Sequence, residues 1–236
     1  MSKKENCLMT SKNSGYSTGS TNPLFAEAHS SSAQVAAKRQ KETALENNLR
    51  SKATQCGISV PQEKVHDLAM ALKKQELGGA DFRDARASLV LFFQRQLGTL
   101  PNFFEMIKAE ITSSLGNDEA EAKSTATLKL RIGNEVEHRV AEGVGPVDAI
   151  NKALREALQP HYKQVEEFAL RDYKVKTVMG GKGTESRVCV LITFGKKHAH
   201  TPYTVQGADA NLEKASWLAL RDAYAYCLLL CLRNDS

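Results

Sequence analysis

GPVDAINKALREAL (Gly145–Leu158) and GADANLEKASWLAL (Gly207–Leu220) are two helix-starting stretches that read alike. At an offset of 62 residues (207 − 145), Ile150/Leu212, Lys152/Lys214, Ala153/Ala215, Ala157/Ala219 and Leu158/Leu220 fall into register. Each copy follows segments of strand-like character. The C-terminal half therefore reads as a duplicated strand-strand-helix unit, and the fold class as α+β. A repeated unit with a pseudo-twofold points to binding or assembly before it points to an active site.

Outward from the first copy, ATLKLRI (126–132) alternates apolar and polar residues, and EVEHRVAEG (135–143) follows the compact Gly133-Asn134 turn. Pro146 suits a first helical position, where its missing N–H costs nothing, and Gly145 is expected to let the backbone turn sharply. The second copy is preceded by FALRDYKVKTV (168–178), the hairpin-like GGKGT (180–184) and SRVCVLITF (186–194). The near-continuous apolar run of SRVCVLITF implies burial on both faces. A third strand, PYTVQG (202–207), leads into the last helix.

Upstream, PQEKVHDLAMALKKQEL (61–77) sets Val65, Leu68, Ala69 and Leu72 on one stripe, and FRDARASLVLFFQRQL (82–97) sets Phe82, Ala85, Leu89 and Phe92 on another. Gly78 and Gly79 break them into a helical hairpin. Pro101 is expected to end the second helix, with Phe103 and Phe104 as packing anchors. The stretch from Met1 to about Gln55 is rich in Ser, Asn, Thr and Lys and reads as a disordered tail with a short helix through Ala33–Leu49. The expected organisation is a basic tail over 1–56, a helical linker subdomain over 57–119 and a binding domain over 120–236.

Of the formal net charge of +5, +4 falls within residues 1–56, which carry eight basic and four acidic side chains. The rest is nearly neutral, which argues against a nucleic-acid-binding face; an adaptor acting through the basic tail is the least favoured reading. No stretch of roughly 18 apolar residues suggests a membrane span, and the apolar run from Tyr224 to Leu232 reads as a buried helix. Early Glu5, and the absence of arginine before Arg39, weigh against a transit peptide. The five cysteines have no zinc-site spacing and read as reduced thiols, so a cytoplasmic setting is expected.

Catalytic constellations are thin. His198 and His200 alternate like a metal pair, but they lie in a Lys-flanked turn with no carboxylate nearby. GGKGT lacks the spacer and following helix of a phosphate loop. No catalytic residue, metal ligand or cofactor site is expected. The EGVGPVDA turn (142–149), in contrast, presents amide N–H groups at a helix N-terminus, which suits a carboxylate. Asp172 and Tyr173 interrupt an apolar strand and could receive an ammonium group. The alternative stays open at this point: Asp148 charges the helix start and Asp172 caps a turn.

EGVGPVDAINKAL (142–154), LRDYKVK (170–176), GTESRVCVLI (183–192) and NLEKASWLALRDAYAY (211–226) resemble the C-terminal allosteric, dimerisation domain of the isopropylmalate and citramalate synthase family. LGGADFRDARASLVLFFQRQLGTLPNFFEM (77–106) is similar to that family's helical linker subdomain. ASWLALRD and the arginine of SRVCVLI look closer to citramalate synthase. The resemblance implies feedback binding of isoleucine or leucine and a homodimer. The contacts it carries over are Gly143, Gly145, Pro146, Val147, Asp148, Leu170, Tyr173, Thr177, Thr184 and Val188, with Asp172 added from the strand reading. The family's catalytic barrel has no counterpart in the sequence. The expectation is thus a regulatory module acting with a separate synthase barrel; the alternative is one part of a split or truncated acetyl-CoA-dependent synthase.

Overall fold

The computed structural model describes residues 23–114, 123–178, 186–197 and 201–234. The chain divides into two compact units, Met1–Thr43 and Ala44–Ser236. What is described of the first is the opening of helix α1 (Pro23–Gln55). There Lys38 and Glu42 pair at 4.0 Å across one helical turn, and Thr43 Oγ1 donates to the Arg39 carbonyl.

In the second unit the last turns of α1 are not tail-like. Leu49 and Ala53 are buried, and Leu45 packs beside them. They join Val65, Leu68, Ala69 and Leu72 of α2 (Val65–Leu77), which is the stripe expected from the sequence. Phe82 and Leu89, Phe92 and Phe93 of α3 (Arg86–Leu97) complete this helical core. The opposite side of α3, with Ala87, Val90 and Leu91, faces a second and larger core. Helix α3 ends on Gly98, three residues before Pro101 is reached.

The larger core is built on two antiparallel sheets, ordered β1-β2-β3 and β4-β5-β6. The first comprises β1 (Glu105–Ser114), β2 (Lys123–Ile132) and β3 (Glu135–Gly143), followed by α4 (Pro146–Leu158). The second comprises β4 (Phe168–Val178), β5 (Arg187–Lys196) and β6 (Tyr203–Asp209), followed by α5 (Leu212–Asn234). Strand β1 falls inside the stretch that the sequence reading gives to the linker, so each repeat is strand-strand-strand-helix. As expected, β5 is the central strand of its sheet and is buried on both faces from Cys189 to Ile192. Phe103 docks as an anchor: its carbonyl accepts the Tyr162 hydroxyl at 2.9 Å, and the two rings meet edge to face.

The repeat register also differs from the sequence alignment. The first helical residues are Pro146 and Leu212, one turn further apart than the 62-residue offset. Matched from those positions, Ala149/Ala215, Ile150/Ser216, Ala153/Ala219, Leu154/Leu220, Ala157/Ala223 and Leu158/Tyr224 are all buried in both copies. A slip of four residues preserves a helical stripe, so the sequences match almost as well one turn out.

Each helix approaches its own sheet across a glycine. A Cβ on Gly143 would stand 2.4 Å from the Ala149 nitrogen, and one on Gly207 would stand 2.1 Å from the Ala215 carbonyl oxygen. Helix α5 is apolar enough by length and composition to span a membrane, but 72% of its most apolar window is buried within the protein. It is the central helix of the core. Its Tyr224 packs edge-on against Phe194 at 5.1 Å and donates to Asn151 Oδ1 of α4 at 2.9 Å.

Candidate effector site

The turn ahead of α4 is built locally. Gly145 is the N-cap residue with φ −167° and ψ 172°, an extended conformation open to any residue, and a Cβ there would meet nothing within 4 Å. The sharp constraint expected at Gly145 lies instead at Gly143. Asp148, third in the helix, folds back so that its Oδ2 accepts the Val144 N–H at 3.2 Å and pairs with Lys152 Nζ at 2.8 Å. This satisfies one amide of the turn and complements the helix dipole. Gly143 is buried, while Pro146, Val147 and Asp148 are half-buried.

Strand β4 carries an irregularity between Leu170 and Asp172, beyond which Asp172, Lys174 and Lys176 share one face and Tyr173, Val175 and Thr177 the other. Asp172 and Tyr173 therefore point to opposite sides of the sheet and do not form a joint ammonium acceptor. Asp172 pairs with Lys174 at 2.6 Å, and that hydrogen bond holds its carboxyl below the usual carboxylate range. Tyr173 donates to Ser216 Oγ at 3.0 Å, since Ser216 spends its own proton on the Leu212 carbonyl at 2.7 Å.

Leu170 lies opposite Phe194, Tyr173 opposite Ile192 and Thr177 opposite Val188. These pairings bring Leu170, Tyr173, Thr177 and Val188 to the α5 side of the second sheet. Thr184 lies outside the described residues, as do His198, His200 and the GGKGT hairpin. The two expected halves of the site are fixed by different contacts. The strand group is tied to the first turns of α5 through Ser216, whereas α4 meets α5 two turns later, at Tyr224.

A cavity of about 710 Å³ opens beside the strand group, lined by Lys52, Glu76, Asp81, Lys176 and, from the expected set, Thr177. Lys52 bonds Glu76 across it, and Lys176 reaches Asp84 at 3.1 Å. Behind it the buried Gln206 links sheet to linker: its Oε1 accepts from the Asp81 N–H at 2.8 Å and from Cys189 Sγ, and its own N–H reaches Ser88 Oγ at 2.8 Å. Sequence reading missed Gln206 and Ser216, whose partners lie far away along the chain.

The hydrogen bond from Arg83 holds the Asp81 carboxyl at about 2, against the ordinary 3.8. A depressed acid contributes stability above its unfolded value and loses it as pH falls through the folded one. The difference between wild type and Asp81→Asn in acid denaturation should therefore be constant above about pH 5 and shrink towards pH 2. Arg83 is largely exposed, so screening keeps the plateau small. A difference that grew on acidification would contradict this pairing.

The cysteine thiols of this unit behave as core groups. Burial pushes Cys56, Cys189 and Cys227 up from their ordinary values, which disfavours the reactive thiolate. No disulfide is formed among the described residues.

The sequence that builds the two three-strand-and-helix repeats has relatives among known proteins. Residues 85–228 match the model of the LeuA allosteric (dimerisation) domain. This chain belongs to the LeuA allosteric (dimerisation) domain family. The match takes in α3, both repeats and most of α5 of the LeuA domain. Among similar proteins is an (R)-citramalate synthase of Geobacter sulfurreducens, 34% identical over 77% of this chain and 34% of the relative. Another (R)-citramalate synthase, of Aquifex aeolicus, is 33% identical over 78% of this chain and 35% of the relative. A probable 2-isopropylmalate synthase of Methanopyrus kandleri is 28% identical over 71% and 32% respectively. The chain spans about a third of the length of these relatives.

Proposed function

We propose that this LeuA domain binds a branched-chain amino acid, isoleucine or leucine, as a feedback effector, forms a homodimer, and regulates a synthase catalytic barrel in the cytoplasm. Two separate features support the reading: an α4 start whose N-cap Gly145 is open to approach, and a strand group of Leu170, Tyr173, Thr177 and Val188 on one face of the second sheet. Helix-start amides suit the effector's carboxylate, and the apolar members of the strand group suit its branched side chain. Micromolar affinity requires about 8 kcal/mol, or roughly 0.9 for each of about nine heavy atoms, which is within reach of a small ligand.

Titration calorimetry of the full chain with isoleucine and with leucine tests this. Saturable heat is expected for at least one of them, weakened roughly tenfold or more by Tyr173→Ala. Baseline heat for both amino acids rejects the sensor reading.

A further inference from the structure

We infer that Glu135, Glu137 and His161 form a site for a divalent transition-metal ion of the Zn²⁺ class, independent of the effector reading. Glu135 and Glu137 are alternate residues of β3, so their side chains leave the same face of the first sheet, and the ladder fixes them opposite Ile132 and Leu130. His161 comes from the segment after α4. Its backbone N–H bonds the Leu158 carbonyl at 3.1 Å, and its neighbour Tyr162 is anchored to the Phe103 carbonyl.

One donor atom from each of the three side chains lies within 4.8 Å of the others. His161 Nε2 stands 2.8 Å from Glu137 Oε1 and 3.9 Å from Glu135 Oε2. Ligands at about 2.0–2.2 Å from a shared zinc ion would be separated by comparable distances. The set needs only small side-chain movements to close around a cation, with solvent completing the coordination.

Glu137 is already oriented for this: Arg139 holds its Oε2 at 2.6 Å and leaves Oε1 turned towards His161. Such an outer partner on a carboxylate is typical of the groups that position metal ligands. The two carboxylates outweigh the single guanidinium, so the cluster remains attractive to a cation. Glu137 and His161 are 13% and 18% exposed and Glu135 is 74% exposed, which gives a shielded site with an open side for entry. The imidazole favours zinc-like ions over calcium or magnesium. An ion here would tie the start of β3 to the segment following α4, at the opposite end of β3 from the Gly143–Asp148 turn.

Titration of the full chain with ZnCl₂ tests the site. Uptake of one ion by the cluster is expected, with a rise in Tm. Glu135→Gln, an exposed change that leaves the ladder intact, should weaken binding by roughly tenfold or more, and His161→Asn should abolish it. Loaded with Co²⁺, the cluster should give weak visible ligand-field bands without the intense near-ultraviolet absorption of a cobalt thiolate. The inference is overturned by no uptake at about 100 µM Zn²⁺, by equal uptake in both variants, or by a thiolate signature that assigns the ion to cysteines.

Discussion

Gly207→Ala should destabilise the second unit by about 3 kcal/mol or more, the upper end of what overpacking costs. The added Cβ would stand 2.1 Å from the Ala215 carbonyl oxygen, 2.7 Å from the Ala219 nitrogen and 2.8 Å from Leu218 Cβ. Two of those three are backbone atoms of α5, so no rotamer change relieves the clash and the helix itself must lift from β6. Such a shift would loosen the contact of Tyr224 with Phe194 and its bond to Asn151, which joins the two repeats.

Gly145→Ala is the informative comparison, because the sequence alignment makes Gly145 the counterpart of Gly207. In the structure Gly145 is extended and faces open space, so the change should cost less than about 1 kcal/mol, the scale of an N-cap effect. Gly143→Ala, whose Cβ would meet the Ala149 nitrogen at 2.4 Å, should resemble Gly207→Ala instead. Chemical denaturation of the three variants measures all of this. Equal costs at Gly145 and Gly207 would sink the structural register.

That contrast shows where the sequence was readable. A stripe repeats every three to four residues whichever turn it starts on, so the helices and their buried faces were legible while their register was not. The α2 stripe and the doubly buried β5 were likewise plain, because each is a dense local pattern. Strand β1 was hidden: Lys108, Glu110 and Thr112 alternate with Ile107, Ala109 and Ile111, but the register shift between Met106 and Lys108 disturbs the start of that alternation. In the candidate site, the α4 turn could be read because it is one continuous segment. The shared face of Leu170 and Tyr173 could not, since it depends on the irregularity between Leu170 and Asp172. Neither could Ser216 and Gln206, whose roles are set by partners that the fold brings from other elements.

Leu49→Ala should cost about 2–5 kcal/mol, the range for emptying a fully buried leucine site. Its fully buried side chain belongs to the helical core formed with Leu68, Leu72 and Phe92. The sequence reading puts Leu49 in a tail, because Leu45, Leu49 and Ala53 are few apolar residues scattered along a 33-residue helix that is mostly polar. Their four-residue spacing, and not the average composition, is what lets one face dock. Val35→Ala on the same helix, at a side chain 49% exposed, should change stability by no more than about 0.5 kcal/mol. The pair of variants separates docking from helix formation, since both residues sit in α1 and both changes favour the helix slightly. If Leu49→Ala proved as mild as Val35→Ala, the last turns of α1 would belong with the tail, and a chain starting at Gly57 should keep full stability. If the expected cost is found, that shorter chain will expose the apolar face of α2 and lose stability by a similar amount.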